Sequence, residues 1–282
     1  MGPPSFSDLG KAAMDLFSKG YHLGVFRIDA STKTQNNIEL SASIVSNRES
    51  GKVSGNVESK YKWSEYGLTF TENWTTENVI TAEVKVEDQI AEGLELAVEV
   101  SFAPQSGEKT CTLKSEYQME YLHVNGDVDL DLAGPNFTGA AVLGCEGWLA
   151  GYQLGYDTSQ SKLTSSNFGF GYVDDDFSFT TVVDEGQEFT GAVYHKVNEK
   201  LEAAVMLSWA TDSGNTTFGI GGRYNMDEDV SFGAKVDNES NIGFSYTQTL
   251  KNEVKFTIST LIDGKNISQG NHQVGFGIEF EA

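Results

Sequence analysis

The stretch LELAVEVSF, residues 94–102, decides the fold. Leu94, Leu96, Val98, Val100 and Phe102 occupy every second position, with Glu95 and Glu99 between them. Successive side chains of a β-strand point to opposite faces, so this run has one apolar face and one acidic face. The same alternation extends outward in both directions. Upstream, ITAEVKVE (80–87) sets Ile80, Ala82, Val84 and Val86 against Glu83, Lys85 and Glu87. VSGNVESKYKW (53–63) sets Val53, Val57, Tyr61 and Trp63 against Asn56, Glu58, Lys60 and Lys62. VFRIDAS (25–31) sets Phe26, Ile28 and Ala30 against Arg27, Asp29 and Ser31. Downstream the pattern continues through 122–132, 201–209, 242–246, 254–262 and 274–280. Turns such as TDSGN, DEG and IDGKN separate the runs. A strand and its turn recur about every 13 residues, which gives about 18 to 20 strands.

So many two-faced strands need a second apolar surface, or a solvent that is itself apolar. No long apolar run or set of helices is present to cover the sheet. One sheet with a continuous apolar face, closed on itself to remove its edges, is a membrane β-barrel. Its apolar row faces lipid and its charged row lines a water-filled lumen. The mean hydropathy of −0.32 fits, because only half of each strand needs to be apolar. No window approaches the length of an apolar transmembrane helix. The alternative is a soluble β-barrel that binds a ligand, which would purify without detergent.

Charge narrows the function. Asp and Glu number 41 against 19 Lys and Arg, a formal net charge of −22. Such a chain repels nucleic acid, so no nucleic-acid partner is expected. Cys111 and Cys145 are the only cysteines and form no disulfide framework. The N-terminus lacks the basic and apolar regions of a secretory signal. DVDLDLAG places Asp127, Asp129 and Asp131 on one strand face. A calcium loop would need Gly and Glu where Leu132 and Thr138 stand, so a solvated ladder in the lumen is the better reading. The four histidines have no metal-ligand spacing. No phosphate-binding loop or nucleophile elbow occurs. Neither an enzyme nor a cofactor or metal is expected.

The N-terminal 24 residues differ from the rest. Ser7–Lys19 reads as one helix: Ser7 caps it, Asp8 suits its positive end, and Leu9, Ala12, Ala13, Leu16 and Phe17 form an apolar stripe. Lys11, Asp15 and Lys19 lie on another face, where Asp15 can pair with either lysine. Gly20 ends the helix, and Gly20 and Gly24 form a hinge. At about 13 residues it is too short to cross a bilayer, which takes about 20. The expected division is a pore helix with a glycine hinge over 1–24 and the membrane barrel over 25–282.

Extended stretches carry a resemblance along the whole chain. They are PPSFSDLGKAAMDLFSKGY (3–21), YGLTFTENWTTEN (66–78), VEDQIAEGL (86–94), LGCEGWLAGYQLGYDTSQSKLTSSNFGFGY (143–172), FSYTQTLK (244–251) and LIDGKNISQGNHQVGFGIEFEA (261–282). Together they resemble the mitochondrial outer-membrane porins, the voltage-dependent anion channels. The resemblance implies a 19-stranded barrel with the helix in its pore, its first and last strands closing in parallel. It implies passage of small ions and metabolites, among them ATP, ADP and NADH, across the mitochondrial outer membrane, with partial closure by voltage. It implies a sorting signal at Gln273, Gly275, Ile278 and Phe280. A bacterial outer-membrane porin is the rival within the architecture, but it would carry a signal peptide and an even strand number.

Glu72 shares the phase of Leu68, Phe70 and Trp74, so it is a carboxylate on the apolar face. The resemblance links this position to gating dynamics, self-association and docking of hexokinase-like partners. A bulge turning it inward is the other reading. Departures from the family concern charge: Met14, Glu92, Glu95, Thr112, Val173 and Thr217 stand where relatives often carry bases. Lys11, Lys19, Lys60, Lys114, Lys235 and Lys255 are retained. The pore lining expected to set selectivity is Lys11, Asp15, Lys19, Arg27, Asp29, Lys60, Glu83, Glu95, Glu99, Lys114, Asp127 and Asp129. With Glu58, Glu87, Glu116, Asp131, Glu202 and Glu279 also inward, acid outweighs base, and the expected pore prefers cations. The alternative is an anion-selective metabolite and nucleotide pore like the basic family members.

Overall fold

The computed structural model describes residues 2–130, 134–250, 253–268 and 270–281. Asp131 of the expected acidic ladder lies outside the described residues. The alternation resolves into strands of 8 to 12 residues. They are β1 (Val25–Lys33), β2 (Ile38–Asn47), β3 (Val53–Trp63), β4 (Leu68–Thr75), β5 (Ile80–Glu87), β6 (Leu94–Ala103), β7 (Glu108–Gln118), β8 (Leu122–Asp129), β9 (Asn136–Cys145) and β10 (Trp148–Asp157). The rest are β11 (Lys162–Val173), β12 (Phe177–Asp184), β13 (Glu188–Asn198), β14 (Leu201–Ala210), β15 (Thr216–Asn225), β16 (Val230–Asp237), β17 (Asn241–Leu250), β18 (Val254–Asp263) and β19 (Gln273–Glu281).

Each strand pairs antiparallel with its neighbours in sequence, and β1 closes on β19 in parallel, from Phe26 beside Phe276 to Ser31 beside Glu281. An odd number of strands joined by hairpins leaves the first and last pointing the same way, so a parallel seam is required. The closed 19-stranded sheet has no edge to satisfy. Register carries one face around the ring without interruption. Val98, for example, stands between Val84 and Leu113 on the outside, and Glu99 between Glu83 and Thr112 on the inside. The outer row is solvent-accessible throughout, with Trp74 at 60% and Leu143 at 60%. An apolar band of that extent is stable only against lipid.

The N-terminal segment lies inside the barrel, and here the structure corrects the expected helix. A 3-10 turn, Phe6–Asp8, is separated from α1, Lys11–Ser18, by an extended Leu9 and by Gly10 at φ 77°. Only glycine enters that left-handed region at little cost, so one continuous helix from Ser7 is not formed. Gly10 takes the N-cap position, and Ser7 makes no capping bond. The break turns the apolar stripe: Phe6, Leu9, Ala13 and Leu16 are buried, whereas Ala12 is exposed. Phe6 and Leu9 pack on Ala140, Val142 and Leu149. Ala13 and Leu16 pack on Ala192 and Ala204, with Phe17, Tyr194 and Met206 around them. Burying a side chain such as Leu16 contributes about 1.5–3 kcal/mol. These two clusters fasten the segment to the inner wall from β9 to β14.

Candidate pore lining

Inner-face positions are set by register, and the named lining residues can be followed around it. Arg27 and Asp29 stand on β1 opposite Val45 and Ser43. Lys60 pairs across with Glu39 and Thr71. Glu83 and Glu99 are direct neighbours, as are Glu87 and Glu95, then Glu95 and Glu116. Lys114 stands opposite Asp127, and Thr112 opposite Asp129. Glu58, Glu202 and Glu279 share this face. Register also brings inward Glu39, Asp184, Glu188 and Asp237, which the sequence reading did not single out, together with Lys33, Lys196 and Arg223.

The acids gather on β5–β8. The two inward lysines there, Lys85 and Lys114, are each held between two carboxylates. Lys114 Nζ is 2.7 Å from Glu99 and 3.2 Å from Glu83. Lys85 Nζ is 2.7 Å from Glu95 and 3.0 Å from Glu87. Two acids around one base leave a local excess of negative charge, to which Glu116, Asp127 and Asp129 add. A polar cavity of about 340 Å³ lies where this wall meets the N-terminal segment, lined by Asp8, Glu83, Glu95, Lys114, Glu116 and Asp127. The lumen-side charges of α1 are neutralised locally. Lys11 pairs with Asp8 at 2.6 Å and Lys19 with Asp15. The expected choice of Asp15 between Lys11 and Lys19 therefore falls to Lys19, while Lys11 takes Asp8. The Lys11 bond holds the Asp8 carboxyl below its ordinary value.

The segment is anchored at both ends by groups that no periodicity marks. The Pro3 carbonyl oxygen accepts from Gln118 at 3.2 Å and lies 3.0 Å from His123 Nδ1. The other His123 nitrogen is 2.8 Å from Glu116. At the far end Gly20 and Gly24 take φ of 84° and 71°, and the His22 N–H donates to Ser259 Oγ at 2.9 Å. The His22 carbonyl lies directly over Gly275, where a Cβ would overlap it. That close approach gives Gly275 a steric reason to be glycine, apart from any sorting signal. Gln273 also faces inward, while Ile278 and Phe280 face outward beside Ile28 and Ala30.

Glu72 occupies the outer face. It stands between Ser59 on β3 and Ala82 on β5, in unbroken register with Phe70 and Trp74, so no bulge turns it inward. It is exposed, and among the described residues no cation pairs with it. Glu92 lies in the turn between β5 and β6, at the mouth that also carries Asp174–Asp176 and Asp227–Asp229. Turns at the other mouth include Arg48, Lys52 and Lys265.

A family profile described as eukaryotic porin matches residues 2–275. The chain is 50% identical over 280 residues to the non-selective voltage-gated ion channel VDAC1 of Rattus norvegicus, with 99% of each chain covered. It is 49% identical over 280 residues to the non-selective voltage-gated ion channel VDAC2 of Xenopus laevis, again over 99% of each. Over 282 residues and the whole of both chains it is 50% identical to the voltage-dependent anion-selective channel of Drosophila melanogaster. All three carry the names of channels.

Proposed function

Because the chain belongs to the eukaryotic porin family, we propose that it is a voltage-dependent pore of the mitochondrial outer membrane that passes small ions and metabolites and prefers cations. The observation that carries the cation preference is the wall of β5–β8, where Lys85 and Lys114 are each outnumbered by carboxylates. The helix α1, seated on β13–β15, presents lysines already paired with Asp8 and Asp15. A permeating ion therefore meets a negative potential on one side and little compensation on the other. A barrel of 19 strands leaves an aqueous channel in which ions stay hydrated, so the preference is modest. Anionic nucleotides such as ATP and ADP, and NADH, pass less readily than through a basic lumen.

The reading extends to partners. Glu72, an outward carboxylate beside Phe70 and Trp74, is the position we assign to gating dynamics and to contacts with a second barrel or a hexokinase-like protein. Gln273, Gly275, Ile278 and Phe280 support targeting to the mitochondrial outer membrane. The test of selectivity is the reversal potential of the purified protein in a planar bilayer under a low-salt KCl gradient. A potential of the sign for K⁺ over Cl⁻ is expected. A Cl⁻ preference in the open state would overturn the cation reading and favour the anion-selective alternative.

A further inference from the structure

The C-terminal end of α1 is met by two cations of the wall. Lys235 Nζ, from β16, donates to the Phe17 carbonyl oxygen at 2.6 Å and lies 4.0 Å from the centre of the Tyr21 ring. Arg223, from β15, donates through Nη2 to the Lys19 carbonyl at 3.2 Å and reaches the Asp15 carbonyl at 3.4 Å. The last carbonyls of a helix have no partner within the helix and carry the negative end of its dipole. Bonds from charged donors to such groups are stronger than neutral ones. Neither Arg223 nor Lys235 pairs with a carboxylate among the described residues. They donate to the helix backbone instead, against the negative end of its dipole. Beside them Leu16 and Ala13 seat the apolar side of α1.

We propose that Arg223 and Lys235 are positioning residues that clamp α1 to the wall in the conducting pore and are thereby withdrawn from the charge that permeating ions meet. The inference rests on the reading of the chain as a gated pore. It adds that the helix is held by named wall cations, and that lumen bases divide into two kinds. Lys60, on β3, stands for the second kind: it faces the lumen far from α1 and contributes to the potential.

The two roles separate in a planar bilayer. Lys235→Met should lower the open-to-closed ratio at a fixed low voltage by about tenfold, the scale of one charge-assisted hydrogen bond. Its open-state reversal potential should stay that of the wild type. Lys60→Met removes the same charge and should do the opposite, moving the reversal potential toward cations and leaving gating unchanged. Lys235→Arg keeps the donor and should gate as the wild type. A disulfide between Ala13→Cys and Ala204→Cys, with Cys111 and Cys145 replaced by serine, should raise the open-to-closed ratio of Lys235→Met to that of the wild type or above. If Lys235→Met forms no channels, Arg223→Gln is read in the same way. Wild-type gating in Lys235→Met and Arg223→Gln, an equal gating shift in Lys60→Met, or failure of the tether to raise the open-to-closed ratio of Lys235→Met would overturn the clamp. A reversal potential in Lys235→Met displaced as far as in Lys60→Met would overturn the withdrawal of charge. The cation preference itself is judged on the wild type alone, so either reading can fail without the other.

Discussion

Glu72 places a carboxylate on a face otherwise built of Phe70, Trp74 and their neighbours Tyr61 and Val84. A charge held in hydrocarbon is costly, and the cost falls on the wall that carries it. Removing the charge while keeping the shape should therefore stabilise β4 and its neighbours. The gain from Glu72→Gln is expected to be below the about 2–4 kcal/mol given for a base at the bilayer midplane, since acids cost less there. Denaturant unfolding from detergent micelles measures it, and amide exchange in β3–β5 should slow in parallel. A loss of stability would mean that the carboxylate is satisfied by something on the outer surface. At the same scale, Gly275→Ala puts a methyl group where the His22 carbonyl lies. It should displace residues 20–24 from β19 while leaving the outward Ile278 and Phe280 in place. Faster exchange at the His22 amide, with the protein still assembled into membranes, is the expected result. Failure of assembly instead would assign the glycine to sorting.

At the scale of elements, the strands were legible because a single rule repeats in each: an apolar side chain at every second position, flanked by turn residues. Register then follows, since a slip by one residue would turn Glu83, Glu95 and Glu99 into lipid. The helix was legible as an amphipathic segment but not as a broken one. A positive φ at Gly10 leaves no periodic trace, and Leu9 continues the helical stripe on paper although it is extended in the fold. Arg223 and Lys235 were invisible as clamps for a related reason. On their strands they are ordinary inward polar residues, and only the fold brings them to the carbonyls of Phe17 and Lys19. The docked segment should show its own pH dependence. Burial, aided by the charge of Arg27, pushes the His22 ring below the ordinary histidine value, against the opposing pull of Glu279 and Asp29. The docked state thus favours neutral His22, and the undocked state binds the proton more readily. Docking is complete above about pH 6.5, the ordinary histidine value, and weakens as pH falls from there toward the lowered one. Exchange of the His22 amide, corrected for its intrinsic rate, should quicken across that interval. His22→Gln should abolish the dependence; an unchanged profile in that variant would place the titrating group elsewhere.

For the whole molecule, what matters to a permeating ion is where the excess acid stands relative to the water it crosses. Charges in the turns face bulk solvent and are screened within a Debye length of about 10 Å at 0.1 M salt and about 3 Å at 1 M. Charges on the inner wall act across a lumen bounded by protein, where screening is weaker. Glu92 and Glu95 separate these cases, since one lies in the turn between β5 and β6 and the other on the inner face of β6. Glu95 also holds Lys85 at 2.7 Å and stands beside Glu116 and Glu87, so replacing it with a base removes a partner and adds a charge within the most acidic wall. Glu95→Lys should therefore reduce the proposed cation preference strongly, and Glu92→Lys should reduce it less. Raising the salt should separate the two further, because the contribution of the turn fades first. Reversal potentials at a fixed KCl ratio, measured at about 0.1 M and about 1 M, test the ordering. Equal effects of the two reversals at both concentrations would place the selectivity in the mouth, with its acidic turns around Asp174–Asp176 and Asp227–Asp229, rather than along the wall of β5–β8.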